Sequence, residues 1–302
     1  MKVAIVGATG FVGIPLCRDL KKSGWDVVVL ARNATAAERI LGPGYRIVSW
    51  ALPDDIPGRA LNGVNAVINL AGEPIAKGRW TEIKKAKIRD SRVLTTKKIV
   101  EAIGRLEAKP EVLVSASAVG YYGPRKDEKL CEDADNGRDF LARVCWAWEK
   151  EAFEAEVLGM RVVVVRIGFV LGNGGALKRM LIPFKLFAGG PLGSGAQWLS
   201  WIHRDDLIGI IKLAAGDNSI AGPVNATAPC PVTMKDFSKF LGHTLNRPSW
   251  LPVPGIVLRA GLGEMANMIL DGQRVLPCKA LAAGYRFKYD SVEKALSDIL
   301  AD

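Results

Sequence analysis

The sequence is poor in residues that hold metal ions. It contains only two histidines, and its five cysteines are scattered along the chain without a Cys-x-x-Cys pair. Metal sites of the zinc type need several such ligands at close spacing, so we expect no metal site. The odd number and wide spacing of the cysteines favour free thiols in a reducing compartment, which predicts a cytoplasmic protein.

Long apolar runs are also lacking. No run approaches the roughly 18 residues that span a bilayer, and the apolar N-terminal stretch is too short for a secretory signal. We therefore expect no membrane partner. The chain carries 41 Lys and Arg against 31 Asp and Glu, a net charge of +10, but the basic residues are dispersed. Without a basic stripe, we expect no nucleic-acid partner and favour a small anionic ligand.

The remaining composition is that of a globular protein. Of the 302 residues, 49% are hydrophobic and 24% are charged, which excludes intrinsic disorder and collagen-like structure. The length fits one large domain or two.

Short β-branched runs alternate with longer helical patterns in the first half. Several of the runs are apolar on both faces, as central strands of a parallel sheet are. The pattern predicts an α/β fold with a Rossmann-type doubly wound parallel sheet. The predicted strands are 2–6, 26–31, 46–50, 65–70, 112–117 and 161–168, and the predicted helices lie near 11–23, 81–107 and 138–158.

A glycine-rich turn joins the first predicted strand to the first helix. Gly7 allows the tight turn, Gly10 lets the backbone approach a pyrophosphate, and Gly13 lets the helix pack closely. The free N–H groups of the helix N-terminus would then bind the phosphates of a dinucleotide. A purely structural glycine turn is the alternative. The candidate cofactor-binding residues of this turn are Gly7, Thr9, Gly10, Phe11, Val12 and Gly13.

The residue after the second predicted strand indicates which dinucleotide binds. An NAD site has an acidic residue there, and an NADP site has a cation for the 2′-phosphate. This chain has Arg32 and no carboxylate between Val27 and Ala37. Because the planar guanidinium group suits a phosphate, NADP(H) is the predicted cofactor, and a plain surface arginine is the alternative.

Glycine and proline become more frequent after residue 168, and the predicted helices become shorter. They lie near 233–246 and 255–271, with a last helix from about Asp290 as its N-cap. We predict an NADP-binding domain over 1–168 and a smaller substrate lobe over 169–302, with a soft boundary that strands can cross. The lobe would cover the carboxyl ends of the strands, where open α/β sheets bind ligands.

Further motifs are spread over nearly the whole chain. They include VGATGFVG (6–13), NLAGEPI (69–75), SRVLTT (91–96), SASAVGYYG (115–123), VVVRIGFVLG (163–172), GGPLGSGAQWLSWIHRDDL (189–207) and RVLPCKALAAGYRF (274–287). With them the chain resembles the short-chain dehydrogenase/reductase superfamily. More narrowly, it resembles the atypical "epimerase family" branch, which is related to nucleoside-diphosphate-sugar epimerases.

The resemblance implies further cofactor contacts. Leu70, Ala71 and Gly72 would wrap the cofactor, and Glu73 would accept a hydrogen bond from a cofactor hydroxyl or serve as an ordinary helix cap. Arg166 would leave its strand facing the cofactor cleft. A buried arginine needs an anionic partner, and we expect a cofactor phosphate there, with an internal carboxylate as the alternative.

The resemblance also implies a Ser, Tyr and Lys beside the nicotinamide, and here the chain departs from the family. Ser117 is present, but no Tyr-xxx-Lys occurs; Cys145 and Glu149 stand in its register. A carboxylate at the lysine position would raise the pKa of a neighbouring thiol rather than lower it. Tyr121 or Tyr122 would supply a phenol instead, or would simply line a loop.

His203 is a candidate general acid or base, with a structural histidine as the alternative. Together these residues favour an NADP(H)-dependent oxidoreductase or epimerase that acts on a small or nucleotide-linked substrate and that could form oligomers. The missing Tyr-Lys pair supports a second hypothesis, a catalytically silent NADP(H)-binding sensor or scaffold.

Overall fold

A seven-stranded parallel sheet forms the centre of the molecule, with the strand order β3-β2-β1-β4-β5-β7-β11. The structure is a computed structural model and describes residues 1–301. The sheet confirms the predicted Rossmann-type fold. Its strands are β1 (Lys2–Val6), β2 (Asp26–Ala31), β3 (Arg46–Ser49), β4 (Ala66–Asn69), β5 (Val112–Ala118), β7 (Arg161–Ile167) and β11 (Gly222–Ala226).

Helices cover both faces of the sheet and build the C-terminal lobe. They are α1 (Gly13–Lys22), α2 (Ala34–Leu41), α3 (Glu82–Gly104), α4 (Phe140–Phe153), α5 (Gly175–Lys185), α6 (Arg204–Gly216), α7 (Met234–Thr244), α8 (Gly255–Leu262), α9 (Asn267–Leu270), α10 (Cys278–Ala282) and α11 (Val292–Ile299). Short 3-10 helices occupy Gly58–Ala60, Val119–Tyr122, Glu154–Leu158 and Gly263–Ala266. None of these helices is long and apolar enough to cross a membrane.

Alternate residues of each central strand pack into two separate hydrophobic cores. In β1, Val3 and Ile5 face one core, and Ala4 and Val6 face the other. Helices α1 and α6 cover the first face, whereas α3 and α4 cover the second. Burial on both faces explains why these strands are continuous runs of apolar residues.

The C-terminal lobe has a third core, in which α7 and α11 pack around Trp201 and Phe237. Three two-stranded pairs accompany it. They are β8 (Phe169–Leu171) with β10 (Trp201–His203), β9 (Trp198–Leu199) with β12 (Val232–Thr233), and β6 (Lys129–Leu130) with β13 (Arg274–Val275). The last strand of the central sheet, β11, comes from beyond residue 168, so the sheet does cross the predicted domain boundary.

The C-terminal helices differ from the prediction in two places. The predicted helix over 255–271 is interrupted, because Gly263 has a φ of +62°, a left-handed conformation that ends a helix. The last helix is capped by Ser291 rather than Asp290, and the Ser291 Oγ accepts a hydrogen bond from the Lys294 N–H.

The prediction that every cysteine is a free thiol is wrong for two of the five. Cys131, after β6, and Cys278, at the start of α10, form a disulfide across a sequence separation of 147 residues. The carboxylate of Glu132 lies beside both sulfurs, and within residues 1–301 this is the one gathering of possible metal ligands. The disulfide leaves neither sulfur as a thiolate. The free cysteines are Cys17, Cys145 and Cys230.

The turn between β1 and α1 is packed too tightly for side chains. A Cβ at Gly13 would clash with the Gly7 carbonyl oxygen and would lie 2.7 Å from the Ala8 carbonyl carbon. The start of α1 therefore rests directly on the end of β1.

We expect Gly13→Ala to lower the free energy of unfolding by about 2–3 kcal/mol, because the surrounding atoms are backbone and cannot move aside cheaply. Gly216→Ala, at the end of α6 with no atom within 4 Å of the added Cβ, is the control and should change stability by less than about 1 kcal/mol. Denaturant titration measures both. Equal effects would contradict the packing argument.

Candidate functional site

The site lies at the carboxyl ends of the central strands, where the strand order reverses between β1 and β4. Open α/β sheets leave a crevice at such a point, because the connections on its two sides run in opposite directions. The glycine turn after β1, Arg32 after β2 and the 70–73 segment after β4 all meet this edge. The fold thus brings together the residues that the sequence suggested for cofactor binding.

Backbone N–H groups are free at the glycine turn. Within residues 1–301, the amides of Phe11, Val12 and Gly13 have no hydrogen-bond partner, and no side chain caps α1. Thr9 and Gly10 are exposed at its tip. Gly7 has a φ of +86°, and a Cβ there would lie 2.8 Å from the Leu70 carbonyl oxygen. The turn is therefore a concave set of unpaired donors at a helix N-terminus, which suits a phosphate.

Arg32 is exposed at the end of β2, and in the described part of the chain its guanidinium group has no hydrogen-bond or ion-pair partner. It is available for an anionic ligand. Glu73 differs in this respect, since Lys84 donates to its carboxylate at 2.6 Å. That hydrogen bond lowers the pKa of Glu73. The carboxylate that would accept from a cofactor hydroxyl is thus already paired.

A cleft of about 750 Å³ extends from this edge towards the C-terminal lobe. Phe11, Leu70, Ala71 and Gly72, four of the residues predicted to bind the cofactor, line its sheet end. The ring of Phe11 also fills the space beside the glycines of the 172–175 loop, so the turn contacts the start of the C-terminal lobe directly.

Ser117 lines the cleft at the end of β5, and a buried ion pair holds it. Its Oγ donates to Oε1 of Glu149 at 2.6 Å. The Glu149 carboxylate in turn accepts from Nε and Nη2 of Arg166 at 3.0 and 2.9 Å. All three residues are at most 4% exposed. The strand register places Ser117 and Arg166 side by side, while α4 supplies Glu149.

This geometry corrects the expectation that Arg166 binds a cofactor phosphate. Its partner is the internal carboxylate of Glu149, the alternative that the sequence left open. Burial alone would lower the pKa of Arg166, but the hydrogen bonds and charge of Glu149 outweigh it and raise the pKa. The third guanidinium nitrogen donates to the Tyr122 hydroxyl and to the Glu132 carbonyl oxygen. Each of the three guanidinium nitrogens therefore has a partner within the protein.

The expectation that Tyr122 supplies a phenol to the site is also corrected, because its hydroxyl is bonded within the protein. Its side chain is fully buried, and its hydroxyl accepts from Arg166 and donates to the Asn225 side chain at 2.7 Å. Burial raises the pKa of Tyr122 to about 12. Tyr121 lies over Arg166, with its ring centroid 3.5 Å from the guanidinium carbon. Neither Tyr121 nor Tyr122 is among the described residues that line the cleft.

His203 is a structural histidine rather than an acid or base of the site. It is 3% exposed, and its Nδ1 accepts from the Asp205 N–H, which makes it the N-cap of α6. The Tyr289 ring lies against the His203 ring, with the two ring centroids 3.8 Å apart. Burial lowers the pKa of His203, which favours the neutral acceptor form that this cap needs.

Cys145, in the register of the family tyrosine, does face the cleft. Burial, with the negative charge of Glu149 as a second cause, raises the pKa of its thiol to about 12. A thiol with such a pKa stays protonated at neutral pH and does not replace the tyrosine as a readily ionised group.

Sequence reasoning missed two features of the site. Arg92 lines the cleft beside Gly72 and donates to the carbonyl oxygens of Glu73 and Ile88. Arg92 belongs to the SRVLTT motif, and that membership could have identified it as a residue of the site. A second feature is the Thr96 hydroxyl, which accepts from Asn69 and from the Trp148 ring nitrogen. These bonds fix the end of β4 against α3 and α4.

The fold and this edge are those of a Rossmann-type protein, and comparison with known proteins gives the family. The chain matches the NAD dependent epimerase/dehydratase family over residues 3–225, and a domain of unknown function, DUF1731, over residues 253–299. It is 43% identical to the epimerase family protein YfhF of Bacillus subtilis over 303 residues, which cover 100% of this chain and 99% of that protein. It is 44% identical to the chloroplastic SDR39U1 homolog of Arabidopsis thaliana, over 99% of this chain and 87% of that protein.

Solved structures agree with this assignment. Human epimerase family protein SDR39U1 (isoform 2), crystallised with NADPH, superimposes with a TM-score of 0.89 at 34% identity and covers 100% of both chains. UDP-glucuronic acid 4-epimerase from Bacillus cereus superimposes with a TM-score of 0.81 at 17% identity, over 100% of this chain and 98% of that one, which shows the shared fold alone. The chain belongs to the NAD-dependent epimerase/dehydratase family.

Glu149→Gln should lower the free energy of unfolding by about 3 kcal/mol or more, because it leaves the Arg166 charge buried without a counter-charge. Glu154→Gln, at an exposed position just after α4, is the matched control and should stay within about 0.5 kcal/mol of wild type. Denaturant titration at neutral pH measures both. A loss below about 1 kcal/mol for Glu149→Gln would show that the pair does not carry a buried charge.

Proposed function

We propose that this protein is an NADP(H)-dependent oxidoreductase or epimerase that acts on a small molecule held in the cleft. The observation that carries the proposal is the continuity of the site. One cleft runs from Phe11 of the glycine turn, beside the unpaired amides, past Ser117 to the C-terminal lobe. The likeness to the human relative that was crystallised with NADPH supports the choice of cofactor.

The residues present fit a phosphorylated dinucleotide. The amides of Phe11, Val12 and Gly13 would bind the pyrophosphate, and the exposed Arg32 would bind the 2′-phosphate. Leu70, Ala71 and Gly72 would form the wall beside it. When bound, NADP(H) supplies or accepts a hydride at its nicotinamide ring.

Ser117 is the group that we propose to contact the reacting oxygen of the substrate. Its own proton is directed at Glu149, so the Oγ lone pairs are free to accept a hydrogen bond from a substrate hydroxyl. In the oxidation direction that hydroxyl proton would pass to Ser117 as the serine proton moves to Glu149. The reduction direction reverses both transfers. Arg166 holds Glu149 in position for this exchange.

A second candidate function is a catalytically silent NADP(H)-binding sensor or scaffold. A specific observation favours it: the family's tyrosine and lysine are replaced by a thiol whose pKa is raised to about 12 and by a carboxylate that is already paired with Arg166. The phosphate contacts proposed for the glycine turn and for Arg32 do not involve either residue. The two candidates differ in whether deuterium from NADPH labelled at C4 appears in any product across a panel of carbonyl compounds and sugar nucleotides.

Arg32→Ala should weaken NADPH binding about 10- to 100-fold, because it removes a charge-assisted contact to the 2′-phosphate. NADH affinity should change less than about twofold, since NADH lacks that phosphate. Quenching of nucleotide fluorescence in a titration measures both. The control is Arg39→Ala, another exposed arginine that lies on α2. Equal NADPH and NADH affinities in wild type and variant would remove Arg32 from the site.

Ser117→Ala should lower any turnover about 100-fold, as expected for a group that handles a proton at the reacting oxygen, and leave NADPH affinity within about threefold of wild type. Ser115→Ala is the matched control, because Ser115 is equally buried two residues earlier on β5 and does not line the cleft. Initial rates at saturating NADPH measure the effect. Undiminished turnover in Ser117→Ala would exclude the proposed proton path.

A further inference from the structure

The half of the cleft that lies under the C-terminal lobe has apolar walls. Four methionines contribute to it, together with leucines from the 192 loop and α8. These residues are Met180, Met234, Met265, Met268, Leu192 and Leu262. Unbranched methionine side chains adapt to the shape of an apolar ligand, which is why they are frequent in hydrophobic binding surfaces.

Several of the polar side chains in the same walls already have partners within the protein. Gln197 donates to the carbonyl oxygens of Leu192 and Ile269. Ser200 donates to the Gln273 carbonyl oxygen and accepts from the Val275 N–H. These two side chains therefore offer few free hydrogen-bonding groups to a ligand.

Three further lining side chains have no hydrogen-bond partner among the described residues. They are Asn267, Asp271 and Gln273.

Two tryptophan N–H groups and several charged side chains of the walls also bond within the protein. The ring nitrogens of Trp80 and Trp198 donate to the Ile75 carbonyl oxygen and the Asp127 carboxylate. Glu264 is paired with Lys85 at 2.6 Å. The arginines of the cleft donate to main-chain carbonyl oxygens, Arg179 to that of Ala76 and Arg92 to those of Glu73 and Ile88.

We propose that the substrate is an apolar alcohol or carbonyl compound rather than a nucleotide-linked sugar. This inference rests on the proposed function and specifies its substrate class. A sugar nucleotide would bury a base, a diphosphate and several hydroxyls, and the free side chains of Asn267, Asp271 and Gln273 are too few to replace all of their hydrogen bonds to water. A hydrocarbon body needs no such partners. One polar contact, at Ser117, suffices to place its oxygen.

The first test measures binding of methyl ketones of increasing chain length, from butanone to undecanone, to the NADPH-loaded protein by isothermal calorimetry. Affinity should rise about fourfold for each added methylene until the cleft is filled, since each buried methylene contributes a fixed transfer free energy. UDP-glucose should bind at least 100-fold more weakly than undecanone. Affinity that is independent of chain length, or UDP-glucose binding tighter than undecanone, would overturn the proposal.

The second test places a charge in the apolar wall. Met268→Glu, at a half-buried position on α9, should weaken undecanone binding at least tenfold and leave NADPH affinity within twofold. Ile256→Glu, on α8 and 77% exposed, is the control and should change neither. Unchanged undecanone binding in Met268→Glu would contradict the assignment of this wall.

The two proposals can fail separately. The NADPH titration is made first and without any ketone, and failure to bind NADPH would overturn the proposed function. The ketone series on the protein without nucleotide then reports on the apolar wall alone. If ketone affinity does not depend on chain length in that series, while NADPH still binds, only the proposed substrate class is overturned.

Discussion

The buried ion pair between Glu149 and Arg166 is the constraint on which the geometry of the site depends. A charge in a protein interior is costly unless an opposite charge and further hydrogen bonds satisfy it. Here the guanidinium group makes two bonds to Glu149 and one each to Tyr122 and the Glu132 carbonyl. Because these groups come from separate elements, the pair fixes α4, the loop after β5 and the loop after β6 relative to β7. The position of Ser117 follows from it.

The two halves of the site are built by different means. The cofactor half consists mainly of main-chain groups, namely the amides after Gly7 and the tight contact of Gly13 with the end of β1. Such a half needs only glycines and a strand-turn-helix arrangement. The half around Ser117 depends on side chains that are distant in sequence. It can therefore change, as it does at Cys145 and Glu149, while the cofactor half keeps its form.

This division explains what could be predicted from the sequence. Six of the seven central strands and the helices α1, α3 and α4 follow from local patterns and were predicted to within a few residues, whereas α2 was not predicted. The positions of the glycine turn and of Arg32 could be predicted equally well, because each depends only on where a strand ends. The β11 strand was missed, since GPVNA contains glycine, proline and asparagine and lacks the β-branched run of its neighbours.

The partners of buried side chains could not be read in the same way. Arg166 was expected to bind a phosphate because nothing local in the sequence identifies Glu149 as its counter-charge. Tyr122 and His203 look chemically competent in sequence, yet one hydroxyl and one ring nitrogen are used for internal hydrogen bonds. The pairing of Cys131 with Cys278 likewise depends on β6 and β13 lying side by side. Each error concerns a contact between distant segments.

The same pairing of side chains within the protein determines which groups the cleft presents to a ligand. Glu149, Glu264 and Glu73 are each neutralised by a cation of this chain, and Gln197 and Ser200 of the apolar wall bond to main-chain groups. The protein has a net charge of +10, but its excess of cations does not line up in the substrate half of the cleft. Beyond the cofactor end the walls of the cleft are mainly hydrocarbon and sulfur, with Ser117 at one end and few free polar side chains. Selectivity in such a space comes from shape and from the burial of apolar area rather than from hydrogen-bond recognition.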